Sequence, residues 1–390
     1  MTNPTSISGL ADLSNWRSPG HSRWAFRHVD QIIPTAPIEN EPKDISELVP
    51  ASERHRGSLF QKFLLNAIRT DAVVVLRDGK LLFEWYARGN DAHTPHILMS
   101  ATKAVIGLLA GMLHATGDLD LDAKVSTYVP EIAPTLYQGA TIRNLMDMRA
   151  SVILEPEQQR AYEIATNWEP AQGGERGGEQ GADLVSFLQG LTAPPRAHGG
   201  PFSYISANTE LLGWAIERAT GQTIATLLSA RIWKPMGAEH RAYITTDRKG
   251  LARCAGGLCA TARDLARLGQ LIVDDGQRGA REIIPPSVIS DITNNGDTEA
   301  WRNGEWAKSF ASISTNMRYR SGWYLVDDQP KTMFAMGIHG QNLFIDRANR
   351  IVVAKLSSWK QRVDYLPLWA THRGFERLRR TLVQRKASLS

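Results

Sequence analysis

Cysteine is nearly absent from this chain of 390 residues: Cys254 and Cys259 are the two, five positions apart, with no His or Cys around them at metal-site spacing. That scarcity excludes a disulfide-stapled scaffold and fits free thiols in a reducing compartment. No apolar run reaches the ~18 residues of a bilayer-spanning helix. The opening Met1-Thr-Asn-Pro-Thr-Ser-Ile-Ser lacks the basic start and apolar core of a secretion signal, so a cytoplasmic protein with no membrane partner is expected. One-sided charge is missing too. Lys and Arg number 45 against 40 Asp and Glu, a formal net charge of +5. The arginines are scattered except from Arg373 to Arg385, which reads as an amphipathic final helix with a solvated basic face, so no nucleic-acid partner is expected. No segment repeats.

What is present is ordinary globular material, 42% hydrophobic and 22% charged, enough for a large core and excluding disordered and fibrous classes. Ala72-Val-Val-Val-Leu and Leu81-Leu-Phe-Glu-Trp-Tyr flank Asp78-Gly79, a hairpin with its turn chemistry in place. Residues 102 to 116 are apolar on nearly every face and stop at Gly117, the pattern of a buried helix. Further helices are expected at Asn208 to Ala219, closed by Gly221, and at Ala262 to Ile272. The Gly- and Glu-rich segment from Gln172 to Gly181 reads as a loop able to cover a site. Strands return at Gly322-Trp-Tyr-Leu-Val, Asn342-Leu-Phe-Ile and Ile351-Val-Val-Ala-Lys-Leu. The expected fold is α/β (α+β): one antiparallel sheet built from both ends of the chain and flanked by helices. Residues 1–120 and 250–390 form the sheet-containing catalytic region, and a mainly helical region at 121–249 completes a cleft.

Three strings carry chemistry: Ser100-Ala-Thr-Lys103, Tyr204-Ile-Ser-Ala-Asn208 and Gly337-Ile-His-Gly-Gln341. Ser-x-x-Lys at a helix start puts hydroxyl and amine on one face, one turn apart, where the amine can take the serine proton. Serine there is also an ordinary helix cap. Lys103 separates the two readings, because a lysine aimed into an apolar helix is costly unless it has a partner or a task, and burial favours its free amine. Tyr204 could relay a proton to a leaving group, while Asn208 reads better as a cap that holds its loop. Glycines beside Ile338 let a substrate carbonyl approach the backbone, so the N–H groups of Ser100 and Ile338 could form an oxyanion hole. His339 suggests a Ser-His-Asp arrangement, but Ser100 lacks the Gly-x-Ser-x-Gly elbow that would accompany it.

With these strings in place, the chain resembles the serine hydrolases of the class C β-lactamase and penicillin-binding-protein superfamily, and within it the 6-aminohexanoate-dimer hydrolases. Asn15-Trp, Arg23-Trp-Ala-Phe, Leu98-Met-Ser-Ala-Thr-Lys, Tyr204-Ile-Ser-Ala-Asn-Thr, Gly256-Gly, Thr261-Ala-Arg-Asp-Leu-Ala-Arg and Gly337-Ile-His-Gly-Gln-Asn-Leu carry the likeness. It implies the β-lactamase/transpeptidase-like fold, Ser100 as nucleophile, Lys103 as base, Tyr204 as proton shuttle and backbone oxyanion donors at Ser100 and Ile338. Neither metal nor organic cofactor is implied. The substrate would be a small ester or linear amide, with a homodimer allowed.

Two departures stand out. The Lys-Thr-Gly of penicillin-recognising members is replaced by Ala335-Met336-Gly337, so little β-lactamase activity is expected. In the oligomer hydrolases a loop carries a Tyr and an Asp that hold the amide and its terminal amine; those positions fall on Gln158 and Glu169. Glu169, Tyr324 and His339 are the candidate substrate contacts, though Glu169 also reads as a solvated surface carboxylate and Tyr324 as core. The alternatives are a carboxylesterase without oligomer-amide activity and a catalytically silent binding protein on the same fold.

Overall fold

The computed structural model describes residues 11–52, 65–171, 183–192 and 197–387. The expected loop from Gln172 to Gly181 lies outside the described residues. A seven-stranded antiparallel sheet runs in the order Lys80–Tyr86, Thr70–Arg77, Ile351–Ser357, Gln341–Asp346, Thr332–Gly337, Trp323–Val326, Met317–Arg320. Strands from the two ends of the chain therefore lie side by side, with Val75 opposite Val353 and Val353 opposite Phe344. The hairpin turns at Asp78 and Gly79, both at positive φ (49° and 76°), as a tight two-residue connection requires.

Both faces of the sheet are buried, which is why its strands read as apolar runs rather than clean alternation. Val74, Leu76, Leu343, Ile345, Val352 and Ala354 face a core shared with the Thr102–Ala115 and Ala262–Val273 helices. Val73, Val75, Phe344 and Val353 face Phe375 and Leu382 of the last helix, Tyr365–Ala387. Leu368, Phe375 and Leu382 recur every seven positions there and are buried, which leaves Arg373, Arg377 and Arg380 exposed, while Arg379 is buried against Asp346.

A second, four-stranded sheet joins Thr35–Ile38, Ala242–Thr245, Leu258–Ala260 and His96–Ile97. Its strand at Ala242–Thr245 falls inside the region read from sequence as mainly helical. Elsewhere that region holds helices, the longest of them Ser206–Thr220, closed by Gly221 at φ 66°. The small sheet delivers the chain to Ser100. Ile97 pairs with Cys259, and Leu98 N–H donates to the Leu258 carbonyl at 2.8 Å.

The Thr102–Ala115 helix lies against the turn between the last two strands of the large sheet. A methyl on Gly107 would sit 1.9 Å from the Ser321 carbonyl oxygen, so only glycine allows this approach. Both cysteines are buried and free. No helix among the described residues is long and apolar enough to cross a membrane.

Candidate active site

Ser100 sits in a short 3-10 turn, Met99–Ala101, that runs into the Thr102–Ala115 helix. The residue before it, Met99, is fully buried and held at φ 48°. This left-handed conformation is uncommon for a side chain of that size and is kept in place by packing. Lys103 follows one turn later, 2% exposed. Its Nζ lies 3.1 Å from Ser100 Oγ, 3.3 Å from Ser206 Oγ and 2.7 Å from the Ala255 carbonyl oxygen.

Three partners match the three N–H groups of an ammonium; in the neutral form two N–H groups serve Ala255 and Ser206 and the lone pair faces the Ser100 hydroxyl. Burial, reinforced by the cation of Arg253 and opposed by Glu210, pushes the Lys103 ammonium well below the ordinary lysine range. Burial and the neighbouring cation thus both favour the free amine of Lys103, against the pull of Glu210.

Tyr204 closes the group from the other side. Its ring centre is 4.8 Å from Lys103 Nζ, and its hydroxyl hydrogen-bonds Ser100. Burial raises its phenol above the usual range, so it stays protonated. The ring stacks on Trp306 at 4.2 Å, and its backbone N–H donates to Glu305 at 2.6 Å. Gly337 brings the third string alongside. A methyl there would come 2.5 Å from the Leu98 carbonyl oxygen and 3.0 Å from Ser100 N, so the bare backbone before Ile338 runs against the nucleophile's own amide.

The tentative substrate contacts fare differently. Glu169 is 39% exposed at its side chain and pairs with Arg17 at 3.2 Å, in competition with Glu163, which holds the same guanidinium at 2.8 Å. A substrate amine would have to displace Arg17. Tyr324 is 2% exposed, stacked on Phe334 at 5.0 Å and parallel to Trp306 at 6.3 Å; it backs the ring that backs Tyr204. His339 is 1% exposed. Its Nδ1 bonds the Trp359 carbonyl at 2.8 Å and its ring packs on Phe26 at 5.1 Å. Burial lowers its pKa to about 4, so it is a neutral packing group that fixes the backbone next to Ile338. Gln158 caps its own helix, accepting from Glu155 N–H at 2.9 Å.

Several residues behind the site escaped the sequence reading. Ser206, Tyr162 and Glu210 continue the hydrogen-bond chain from Lys103. Ser206 bonds Tyr162, and the Tyr162 hydroxyl donates to Glu210 Oε1 at 2.7 Å. Glu210 Oε2 accepts from Ala255 N–H at 3.3 Å, which steadies the peptide whose carbonyl receives Lys103. Arg253 lies 3.4 Å over the Trp168 ring. Asn208 does not cap its helix; its Oδ1 accepts from Tyr137 at 3.0 Å. The one available signal was a carboxylate, Glu210, among apolar residues of a helix that starts at Ser206.

Comparison with known proteins agrees with this geometry. The family model described as Beta-lactamase matches residues 58–374. The 6-aminohexanoate-dimer hydrolase of Paenarthrobacter ureafaciens is 32% identical over 368 residues, 91% of this chain and 90% of that protein. Esterase EstB of Burkholderia gladioli is 29% identical over 169 residues, 40% of each chain. A solved Bacillus anthracis structure assigned as a 6-aminohexanoate-dimer hydrolase superposes with a TM-score of 0.83 at 27% identity, covering 98% of this chain and 99% of its own. The chain thus belongs to the β-lactamase family and is an enzyme of the serine-hydrolase type.

Proposed function

We propose that this enzyme cleaves small carboxylic esters, and linear amides more slowly, through an acyl-enzyme on Ser100. The observation that carries the reading is the buried Lys103 amine 3.1 Å from Ser100 Oγ. Lys103 takes the hydroxyl proton as Ser100 attacks the carbonyl carbon. The N–H groups of Ser100 and Ile338 receive the oxyanion in this scheme, a reading supported by the close approach of Gly337 to Ser100 N. Tyr204, protonated and bonded to Ser100, passes its proton to the leaving group; the resulting phenolate, or the Lys103 amine once its proton has moved to Tyr204, then activates the water that releases the acid. The unpaired buried thiols are consistent with a reducing, cytoplasmic setting. A fluorophosphonate probe followed by peptide mapping tests the assignment: the adduct is expected on Ser100, and labelling elsewhere overturns it.

The tuning of the base gives a pH prediction. Arg253 disfavours the Lys103 ammonium, so Arg253→Met should raise the Lys103 pKa. Because the enzyme works with the free amine, the acid limb of kcat/KM then moves to higher pH. An unmoved or acid-shifted limb would show that Arg253 does not act on the base.

Substrate range follows from the 153–169 stretch. Gln158 is committed to its helix start, so the leaving nitrogen of a linear amide lacks the tyrosine hydrogen bond found in the resembled hydrolases. A neutral hydrogen bond is worth ~0.5–1.5 kcal/mol, up to about tenfold in rate. An ester, whose leaving oxygen needs less help, is hardly affected. Turnover of p-nitrophenyl acetate is therefore expected to exceed cleavage of the linear aminohexanoate dimer by about tenfold in kcat/KM. Equal rates in parallel assays would show that this stretch does not set the preference.

A further inference from the structure

Away from Ser100, three side chains with metal-ligating atoms converge on the surface. His93 Nδ1 and His240 Nε2 are 2.8 Å apart, with their rings nearly perpendicular. Glu239 Oε1 lies 3.9 Å from His240 Nε2, and all three atoms fall within 4.8 Å of one another. The sequence gives no warning of this, because 147 positions separate the two histidines.

We propose that His93, Glu239 and His240 form a binding site for one divalent transition-metal ion of the Zn2+ class, which ties the loop entering the Ser100 turn to the small sheet. Two imidazoles and one carboxylate, with room left for solvent, are a donor set that such ions accept, whereas Mg2+ and Ca2+ favour oxygen ligands.

The surroundings support the assignment in three ways. First, the 239–240 backbone is already fixed. The N–H groups of Glu239 and His240 donate to Asp264 at 2.8 and 3.1 Å, and the His240 carbonyl accepts from Trp233 at 3.2 Å. Secondly, the charge is right for a cation. Arg263 and Arg267 approach Glu239 at 3.4 and 2.9 Å, but Arg263 is also paired with Glu84 at 3.0 Å and Arg267 with Asp264 at 2.9 Å. Three carboxylates against two guanidiniums leave one negative charge. Arg267 holds Glu239 Oε2, the outer support that ligating carboxylates need, while Oε1 lies between Arg263 Nη1 at 3.4 Å and His240 Nε2 at 3.9 Å, so a bound ion would take the place of the long Arg263 contact.

Thirdly, little has to move. Two nitrogens at ~2.05 Å from a tetrahedral ion are about 3.3 Å apart, roughly half an ångström more than now. His93 is on an exposed loop steadied by Asp91, which accepts its N–H at 2.9 Å.

His93 and His240 flank strands His96–Ile97 and Ala242–Thr245 of one sheet, so the ion would stabilise the segment that presents Ser100 without taking part in its chemistry. The full-length protein, stripped with EDTA, is titrated calorimetrically with ZnSO4. One equivalent should bind with a Kd in the micromolar range or tighter, and His93→Ala and His240→Ala should each weaken it at least tenfold. Both metal-free variants should keep p-nitrophenyl acetate turnover within twofold of the parent, which separates loss of the site from misfolding. Absence of saturable binding in the parent, or binding unchanged in both variants, overturns the proposal. Neither result would bear on the hydrolase reading, which the fluorophosphonate adduct tests separately.

Discussion

Ser100→Ala is expected to lower turnover of p-nitrophenyl acetate by three orders of magnitude or more, about what loss of the nucleophile costs in serine hydrolases. The reason is local. Ser100 supplies the one hydroxyl within reach of both the Lys103 amine and the Tyr204 phenol, and alanine leaves nothing to form the acyl bond. The fold should hardly notice. Ser100 is partly exposed, and Lys103 keeps its contacts with Ser206 and Ala255. The 3-10 turn is held by Leu98 on Leu258 and by the packing of Met99. Thermal melting should therefore stay within a few degrees of the parent, less than a 1 kcal/mol change would produce in a small domain. A variant that retained more than about a tenth of parental activity, with an unchanged melt, would remove Ser100 from the mechanism.

How far the sequence could be read depended on the range of the interaction. The hairpin around Asp78-Gly79 was readable because a turn with two positive φ values selects those residues. The Thr102–Ala115 helix was readable because it is apolar on all sides. The small sheet was not: His96–Ile97 has two residues and Leu258–Ala260 three, too short to show a period of two.

The same division runs through the site. Ser100 and Lys103 are the two ends of a four-residue stretch at one helix start, so their meeting is a local fact that spacing can announce. Glu210 and Arg253 act on Lys103 only because the fold brings distant segments together around a buried amine. Ser206 stands at a helix start, where nothing local announces that its hydroxyl meets the buried amine of Lys103. His339 stands inside the third string, where its neighbours in space, Phe26 and the Trp359 carbonyl, hold the ring buried, a packing that local spacing does not announce.

Lys103→Ala should lose activity almost as completely as Ser100→Ala, and the double variant should lose little more, because residues that act as one unit give non-additive losses. Alanine alone would not show whether the amine acts as a base or as a positive charge. Lys103→Arg does. A guanidinium keeps a cation beside Ser100 but cannot give up its proton at any working pH. If Lys103 contributed mainly a positive field, the arginine variant would retain a large part of kcat. Since burial and Arg253 both favour the free amine, the arginine variant is expected to fall to within about tenfold of the alanine variant, with substrate KM changed far less than kcat. Steady-state kinetics of the four proteins, parent, Lys103→Ala, Lys103→Arg and the double variant, together with their melting curves, decide the matter. A well-folded arginine variant with near-parental kcat would show that the proton of Ser100 goes elsewhere, and Tyr204, bonded to the same hydroxyl, would then be the group to test as its acceptor.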